Sequence, residues 1–186
     1  QMLHVGRYDY ATGGVSASAI ASPLSPHVPH ALTHEEIEQL IADYARCAKF
    51  ARLAGYDGVE IMGSEGYLIN QFLAPQTNQR TDQWGGSVQA RQQFAIAVVQ
   101  KVREALGPDG LIIFRISLLD FVATELFTRR HRSCWQFRIR SDEVNKIFAN
   151  HNLGTNSLHG LLLLHEFDFA QHRFKTSLAN IHNCWV

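Results

Sequence analysis

A carboxylate and a phenol stand two residues apart in the segment MGSEGYLINQF, residues 62–72, which follows a short apolar run. Glu65 and Tyr67 flank Gly66 in a predicted bend at the end of a predicted buried strand. A tyrosine at the C-terminal end of a strand can act as a proton donor, or it can pack its ring at a rim and expose its hydroxyl to water. Glu65 could tune the phenol, orient a water molecule or cap the helical turn that follows. The spacing marks a candidate catalytic pair and leaves these roles open.

An arginine stands at the end of a second apolar run. Arg115 follows residues 111–114, all of them apolar. A guanidinium in such a position needs an anionic or carbonyl partner. A ligand could be that partner, and so could Asp120 or Glu60.

Two other groups of polar residues are interpreted as structural. The segment Asn78-x-Arg80-x-Asp82 precedes a Gly-Gly pair, and we predict that the arginine and aspartate pair with each other to fix this loop. Six histidines crowd the last third of the chain, at spacings that match no metal-ligand pair on a helix. We therefore predict no metal site from them: His131, His151, His159, His165, His172 and His182.

Helices and strands must alternate to position these groups. A helix is predicted to begin at Thr33, because Thr33 and Glu36 have the spacing of a capping box, and to end near Gly55. Gly107-Pro108 ends a second predicted helix. The predicted order is a strand over residues 1–6, a loop without a long helix over 7–32, a helix over 33–54, a strand over 58–62, a helix over 89–106 and a strand over 111–114.

This order predicts an α/β fold with parallel strands, since helices of this length connect parallel neighbours. The continuous apolar run 111–114 predicts a strand covered on both faces. Both a doubly wound sheet and an eight-stranded barrel fit, but no GxGxxG motif follows any strand. A barrel carries its chemistry at the C-terminal ends of its strands, where Glu65, Tyr67 and Arg115 fall. Residues 118–186 lose the alternation and are interpreted as a separate segment.

Composition limits the class of protein. The 186 residues carry a formal net charge of zero and are 46% apolar, which suits one ordinary domain or a piece of a larger one. Zero net charge argues against nucleic acid or an anionic membrane as the main partner, and no leader or membrane-spanning run is predicted. Cys47, Cys134 and Cys184 are far apart, which is typical of cytoplasmic thiols.

Three stretches together resemble the Old Yellow Enzyme family of FMN-dependent barrels. They are GYDGVEIMGSEGYLINQFLAPQTNQRTDQWGGS at 55–87, QMLHVGRY at 1–8 and FRISLLD at 114–120. Within that family, MGSEGYLIN is most similar to the bacterial NADPH-dependent 2,4-dienoyl-CoA reductases. The resemblance covers residues 1–121.

The resemblance implies a partial (β/α)8 TIM barrel. By resemblance, residues 1–121 form a partial FMN-binding domain that holds the third to fifth barrel strands and two helices. Residues 122–186 are unassigned and do not resemble the remaining strands. We hypothesise that they are a frameshifted or foreign tail.

The resemblance also implies the site residues. Tyr67 matches the proton donor in the reduction of a conjugated C=C bond, and Glu65 lies beside it. A phenol has an ordinary pKa of about 10 and can donate a proton at neutral pH. Gln1 matches the glutamine that pairs with the pyrimidine edge of the flavin. Arg115 matches the arginine that stabilises the anionic reduced flavin.

The sequence departs from its relatives at the substrate site. Gln76 replaces an arginine associated with substrate binding, so the grip on a conjugated enoyl or dienoyl thioester, as in fatty acid beta-oxidation, is weakened. NADPH, FAD and an iron–sulfur cluster are implied for full-length relatives, but no residue here matches their sites. The alternative interpretation is a catalytically inactive truncated fragment that self-associates through open sheet edges.

Overall fold

The computed structural model describes residues 1–11 and 14–117 in full, and the backbone of a strand at 134–139. The six late histidines, Asp120 and Cys184 lie outside the described residues, as does most of the segment after residue 117. In chain order the elements are a 3-10 turn (Gly6–Tyr8), β1 (Val15–Ser16), β2 (His30–Ala31), α1 (His34–Leu53), β3 (Gly58–Gly63), α2 (Leu68–Leu73), α3 (Val88–Leu106), β4 (Leu111–Ser117) and β5 (Cys134–Ile139).

Helix α1 begins and ends as its sequence predicts. The Thr33 hydroxyl accepts a hydrogen bond from the backbone N–H of Glu36 at 3.2 Å, and the Glu36 carboxylate accepts one from the Thr33 N–H at 2.7 Å. This is the predicted capping box, and it satisfies two N–H groups that the helix cannot pair internally. Gly55, with φ of +87°, follows the C-terminal end in the left-handed conformation that glycine adopts without a steric penalty.

Helix α3 packs against α1 and α2 to build the core. Ser87 caps its N-terminus by accepting from the Ala90 N–H at 3.1 Å, and Gly107 (φ +77°) follows its end. Phe94 of α3 is fully buried, with its ring centroid 4.4 Å from that of Phe72 on α2. Aromatic pairs at this distance contribute both buried area and a specific ring–ring contact.

Three chain segments form the predicted parallel sheet. Strands β3 and β4 pair in parallel, with Met62 opposite Arg115. On the other side of β3, Met2 forms a single parallel bridge to Ile61. The prediction of parallel neighbours is confirmed, and the described part of residues 7–32 contains no α-helix.

The predicted strand over residues 1–6 is wrong in extent, since only Met2 bridges to β3. The reason is a competing partner: the His4 carbonyl accepts from the Leu68 N–H of α2 at 3.0 Å. The chain then turns at Gly6 (φ +62°) into the 3-10 turn. Residues 3–6 therefore follow α2 instead of the sheet edge.

The two faces of the sheet differ in burial. Ile112, Phe114 and Ile116 of β4 are buried under the helices, whereas the alternate residues of β4 are only half-buried. The predicted strand covered on both faces is thus covered fully on one. The second face, which carries Glu60, Met62 and Arg115, is the face that would point into the interior of a barrel.

Strand β5 departs from the parallel pattern. It pairs with β4 in the antiparallel direction, with Ser117 opposite Cys134 and Ile112 opposite Ile139. The sequence did not predict this strand. A (β/α)8 barrel contains only parallel strands, so β5 occupies the edge of β4 where a sixth barrel strand would pair.

Candidate active site

Three of the predicted site residues, Gln1, Glu65 and Arg115, lie in one cluster with a fourth residue, Glu60. The Gln1 side-chain amide donates from Nε2 to Glu60 Oε1 at 2.7 Å. Arg115 Nε lies 3.2 Å from the same oxygen, and Arg115 Nη1 lies 3.5 Å from Glu65 Oε1. These four residues, Gln1, Glu60, Glu65 and Arg115, form what we name the Glu60 cluster.

The register of the sheet explains why these residues meet. Glu60 is opposite Ile113 and Met62 is opposite Arg115, so Glu60 and Arg115 lie on the same face, two positions apart. Gln1 precedes Met2, whose bridge to Ile61 directs Gln1 towards the same face. Residues separated by more than fifty positions are thereby brought within hydrogen-bonding distance.

Arg115 takes its partners from within the chain. Of the alternatives that the sequence left open, Glu60 is a partner and Asp120 lies outside the described residues. Glu65, which the sequence did not suggest as a partner, is the second carboxylate. The side chains of Arg115, Glu60 and Glu65 are 27%, 17% and 26% exposed, so water screens their interactions only in part.

The bend that carries Glu65 adopts a conformation that is uncommon for its residue type. Glu65 has φ of +63°, in the left-handed region that costs energy for a residue with a Cβ. The Ser117 hydroxyl accepts from the Glu65 N–H at 2.9 Å, and the Asn70 side chain accepts from the Gly66 N–H at 2.7 Å. The end of β4 and helix α2 therefore hold the bend that leads to Tyr67.

Tyr67 occupies the position before α2, at the C-terminal end of β3, and its side chain is half-buried. Its ring meets that of Tyr8 edge-on, with centroids 5.8 Å apart and planes at 74°. The Tyr8 hydroxyl lies directly over Gly66, where a Cβ would come within 2.0 Å of it. Sequence reasoning missed Tyr8, a second phenol at the site, although it lies in the stretch QMLHVGRY.

Sequence reasoning also missed helix α2, which holds the bend over residues 64–67 by a side-chain hydrogen bond. The buried Gln71 donates from Nε2 to the Gly66 carbonyl at 2.7 Å, and its Oε1 accepts from the Arg7 N–H at 3.2 Å. One side chain thus ties the bend to the segment that carries Tyr8. The apolar residues Leu68, Ile69, Phe72 and Leu73 were the available signal for this helix.

We expect Gly66→Ala to disturb the Tyr8–Tyr67 contact. Alanine at φ +79° costs about 1 kcal/mol from the backbone alone, and its Cβ would collide with the Tyr8 hydroxyl. The matched control is Gly55→Ala, which has a similar φ but nothing within 4 Å of its Cβ position. Urea denaturation should show a larger loss of stability for Gly66→Ala; equal losses would contradict the predicted collision.

The loop over residues 78–86 is fixed as its sequence predicts. Arg80 Nε donates to Asp82 Oδ1 at 3.0 Å, and its Nη1 donates to the carbonyls of Ala17 and Leu32 at 3.0 and 2.6 Å. Asn78 donates to the Phe72 carbonyl at 2.7 Å. The predicted internal pair is confirmed, and it connects this loop to the segment before α1.

The Arg80–Asp82 pair makes the free energy of unfolding depend on pH in the acid range. Hydrogen bonds from Arg80, chiefly, lower the pKa of the Asp82 carboxyl from its ordinary value. A lowered folded-state pKa gives stability that is present above the unfolded-state pKa and is lost as pH falls through the folded-state pKa. Asp82→Asn should therefore cost about 1 kcal/mol or less at pH 7, because the carboxylate is partly exposed.

The difference between Asp82→Asn and wild type should shrink as the pH falls below about 4. Free energies of unfolding measured at pH 7 and pH 3 check this, with the exposed Asp109→Asn as the control. A difference that is the same at both pH values would refute the role of this ion pair.

Other predictions are answered only in part. Gln76 is exposed on the segment after α2. Within residues 1–11 and 14–117, no group of three or more His, Cys, Asp or Glu side chains could hold a metal ion. No helix in the described part of the chain is both long and apolar enough to cross a bilayer.

Comparison with known proteins identifies the family. Residues 5–147 match the model of the NADH:flavin oxidoreductase / NADH oxidase family. The chain belongs to this family. Its members are flavin-dependent oxidoreductases that use nicotinamide cofactors and small-molecule substrates, in agreement with the resemblance seen in the sequence.

Relatives agree in sequence and in fold. A metal reductase of Desulforamulus reducens is 48% identical over 126 residues, which are 66% of this chain and 19% of that protein. Morphinone reductase matches with a TM-score of 0.58 and 33% identity over 62% of this chain and 36% of its own. A 2-naphthoyl-CoA reductase complexed with 2-naphthoyl-CoA matches with a TM-score of 0.56 and 34% identity, over 61% of this chain and 20% of its own.

The described helices and strands correspond to part of the barrel found in the family. The segment at Met2 and the strands β3 and β4 form the sheet of this partial barrel, and α1 and α3 are its helices. The predicted fold class, a partial α/β barrel, is confirmed. The chain spans well under half of the length of each of these three relatives.

Proposed function

We propose that this chain carries one wall of the active site of an FMN-dependent reductase of conjugated C=C bonds, of the 2,4-dienoyl-CoA reductase type. The observation that supports it most is the Glu60 cluster. It joins Gln1 and Arg115 on the barrel-interior face of the sheet, and Glu65 links it to the bend that presents Tyr67. In a β/α barrel the catalytic groups lie at the C-terminal ends of the strands, where Arg115 and the bend that carries Tyr67 are found.

The donor set fits the edge of a flavin. The Gln1 amide offers both a donor and an acceptor, as the alternating groups of a flavin pyrimidine edge require. The Arg115 guanidinium carries five N–H donors in a planar fork, so it can bond carboxylates and a ligand carbonyl at once. In this proposal Gln1 and Arg115 hold the cofactor, and FMN, when bound, supplies hydride to one carbon of the substrate alkene.

The chain contributes the proton. Tyr67 donates the proton of its hydroxyl to the neighbouring alkene carbon, and the phenol recovers a proton from solvent afterwards. The half-buried ring is held edge-on by Tyr8, which restricts where the hydroxyl can point. Glu65 acts beside it, with its carboxylate directed at Arg115 and its backbone held by Ser117.

An enoyl or dienoyl thioester is the proposed substrate, with NADPH as the reductant. The segment MGSEGYLIN and the likeness to a 2-naphthoyl-CoA reductase support a thioester. The exposed Gln76 keeps a hydrogen-bonding group but lacks the positive charge of an arginine. We propose that this reaction serves fatty acid beta-oxidation in the cytoplasm. FAD and an iron–sulfur cluster, which are implied for full-length relatives, would be bound by other parts of a full-length enzyme.

A second candidate is a catalytically inactive fragment of such an enzyme. The antiparallel pairing of β5 with β4 supports it, because a closed barrel needs a parallel strand at that edge. Self-association through the edge beside Met2 would belong to this state. We also propose that the barrel domain ends at residue 121 and that residues 122–186 are a frameshifted or foreign tail. Translating the encoding DNA in its other two frames after residue 119 tests this, and finding no sequence of the family there would contradict a frameshift.

Flavin retention and turnover separate the two candidates. The full chain is mixed with FMN, passed through a desalting column, reduced anaerobically with NADPH or dithionite, and mixed with 2-cyclohexenone or a 2,4-dienoyl-CoA. A retained flavin spectrum that the alkene reoxidises supports the reductase. No retained flavin at micromolar protein would reject the reductase for this chain and favour the inactive fragment.

A further inference from the structure

We propose that Glu60 is a positioning residue that aligns Gln1 and Arg115 through a single carboxylate. This inference rests on the proposed function for its meaning but not for its geometry. Glu60 was not among the residues that the family resemblance assigned to the site. In the structure Glu60 accepts hydrogen bonds from the Gln1 amide and from Arg115 Nη2, and it forms an ion pair with Arg115.

The Gln1 contact decides which way the amide faces. An ionised carboxylate can only accept hydrogen bonds, so Glu60 selects the NH2 group of Gln1 and not its carbonyl. The 2.7 Å bond from Nε2 to Oε1 therefore directs the carbonyl oxygen of Gln1 away from Glu60. This leaves one N–H and the carbonyl of Gln1 to meet a ligand that offers an acceptor beside a donor.

The Arg115 contact holds the guanidinium along one edge. Nε lies 3.2 Å from Glu60 Oε1, and Nη2 lies 3.5 Å from Glu60 Oε2. The Nη2 contact is a hydrogen bond and the Nε contact is an ion pair, and together they restrict the plane of the guanidinium more than one contact would. Glu65 approaches Nη1 from the loop, so Arg115 is held on two sides.

The location of Glu60 makes it rigid enough for this task. Its carbonyl accepts from the Met2 N–H at 2.7 Å, and its side chain is only 17% exposed. A carboxylate in the middle of a strand is disfavoured by β-propensity and by desolvation. A purely stabilising ion pair can often be replaced by apolar residues without loss, so the choice of glutamate here points to alignment.

The first test needs no cofactor. Side-chain 1H–15N spectra of the full chain record the Gln1 amide and the Arg115 Nε–H in wild type, Glu60→Gln and Glu60→Ala. We expect both signals to shift in the two Glu60 variants and to stay in place in Glu38→Gln, an exposed glutamate on α1. Unchanged Gln1 and Arg115 signals in Glu60→Ala would overturn the proposal.

The second test uses FMN as the probe and separates alignment from stability. Glu60→Ala removes the charged acceptor that holds the Gln1 amide, so Gln1 would have to be ordered when FMN binds. The loss of such a hydrogen bond should weaken FMN binding about tenfold. If Glu60 acts through Gln1, Gln1→Ala should add little in the Glu60→Ala background. Independent, multiplying losses would overturn the proposal even if the melting temperature of Glu60→Ala falls.

Failure of the proposed function has a different signature. If wild type retains no FMN, the reductase assignment falls and the binding cycle cannot be run. The spectra of the cofactor-free chain then decide Glu60 alone: shifted Gln1 and Arg115 signals support the alignment, and unshifted ones overturn it.

Discussion

Replacing Tyr67 with phenylalanine is expected to slow the alkene-dependent reoxidation of bound flavin by about 10²- to 10⁴-fold, the range that a positioned proton donor contributes. The change removes one oxygen atom and keeps the ring. Because the ring makes the edge-on contact with Tyr8, the fold of the bend should persist. Flavin binding should therefore be unchanged while turnover is lost, and stopped-flow absorbance measures both.

Two variants complete this test. Tyr56→Phe removes the hydroxyl of a tyrosine that is 66% exposed and lies beyond α1, so it should behave as wild type. Tyr8→Phe asks whether the neighbouring phenol is the donor instead. Wild-type reoxidation rates in Tyr67→Phe, together with a loss in Tyr8→Phe, would move the role of proton donor to Tyr8.

Replacing Phe94 with alanine is expected to destabilise the chain by about 3–5 kcal/mol, the usual cost of removing a fully buried phenylalanine. Its ring is inaccessible to solvent and packs, tilted by 34°, against the ring of Phe72 on α2. The loss combines the transfer energy of the ring with the cavity it leaves between α2 and α3. Since domains have only about 5–15 kcal/mol of stability, this variant should unfold at much lower urea concentration.

The same residue type supplies the control for Phe94. Phe50 of α1 is 60% exposed, so Phe50→Ala should change the free energy of unfolding by less than about 0.5 kcal/mol. Urea titrations followed by circular dichroism compare the two. Similar midpoints for both variants would mean that the packing of α3 on α2 does not limit stability.

Local features of this chain follow from short stretches of sequence. The capping box of α1 needs only Thr33 and Glu36, and its end needs only a glycine that accepts positive φ. The Arg80–Asp82 pair spans two residues, and it forms as predicted. Such interactions involve neighbours in the chain, so the sequence contains all the participants and their spacing.

Helix α2 and the first strand show where local reading fails. All six residues of α2 are buried, including the polar Asn70 and Gln71, and six residues are too few to establish a helical period. A strand is predicted over residues 1–6, yet the His4 carbonyl accepts from the Leu68 N–H of α2 and the segment leaves the sheet. In both cases a tertiary partner outweighs the local pattern.

The sequence by itself determined the family, the parallel β/α order and the residues that could do chemistry. Only the tertiary structure decided that Glu60 joins Gln1 to Arg115, that Tyr8 packs against Tyr67, and that β5 lies antiparallel to β4. The physical reason is that strand register brings together residues more than fifty positions apart. The spacing of residues along the chain does not predict which of several carboxylates will contact the guanidinium of Arg115.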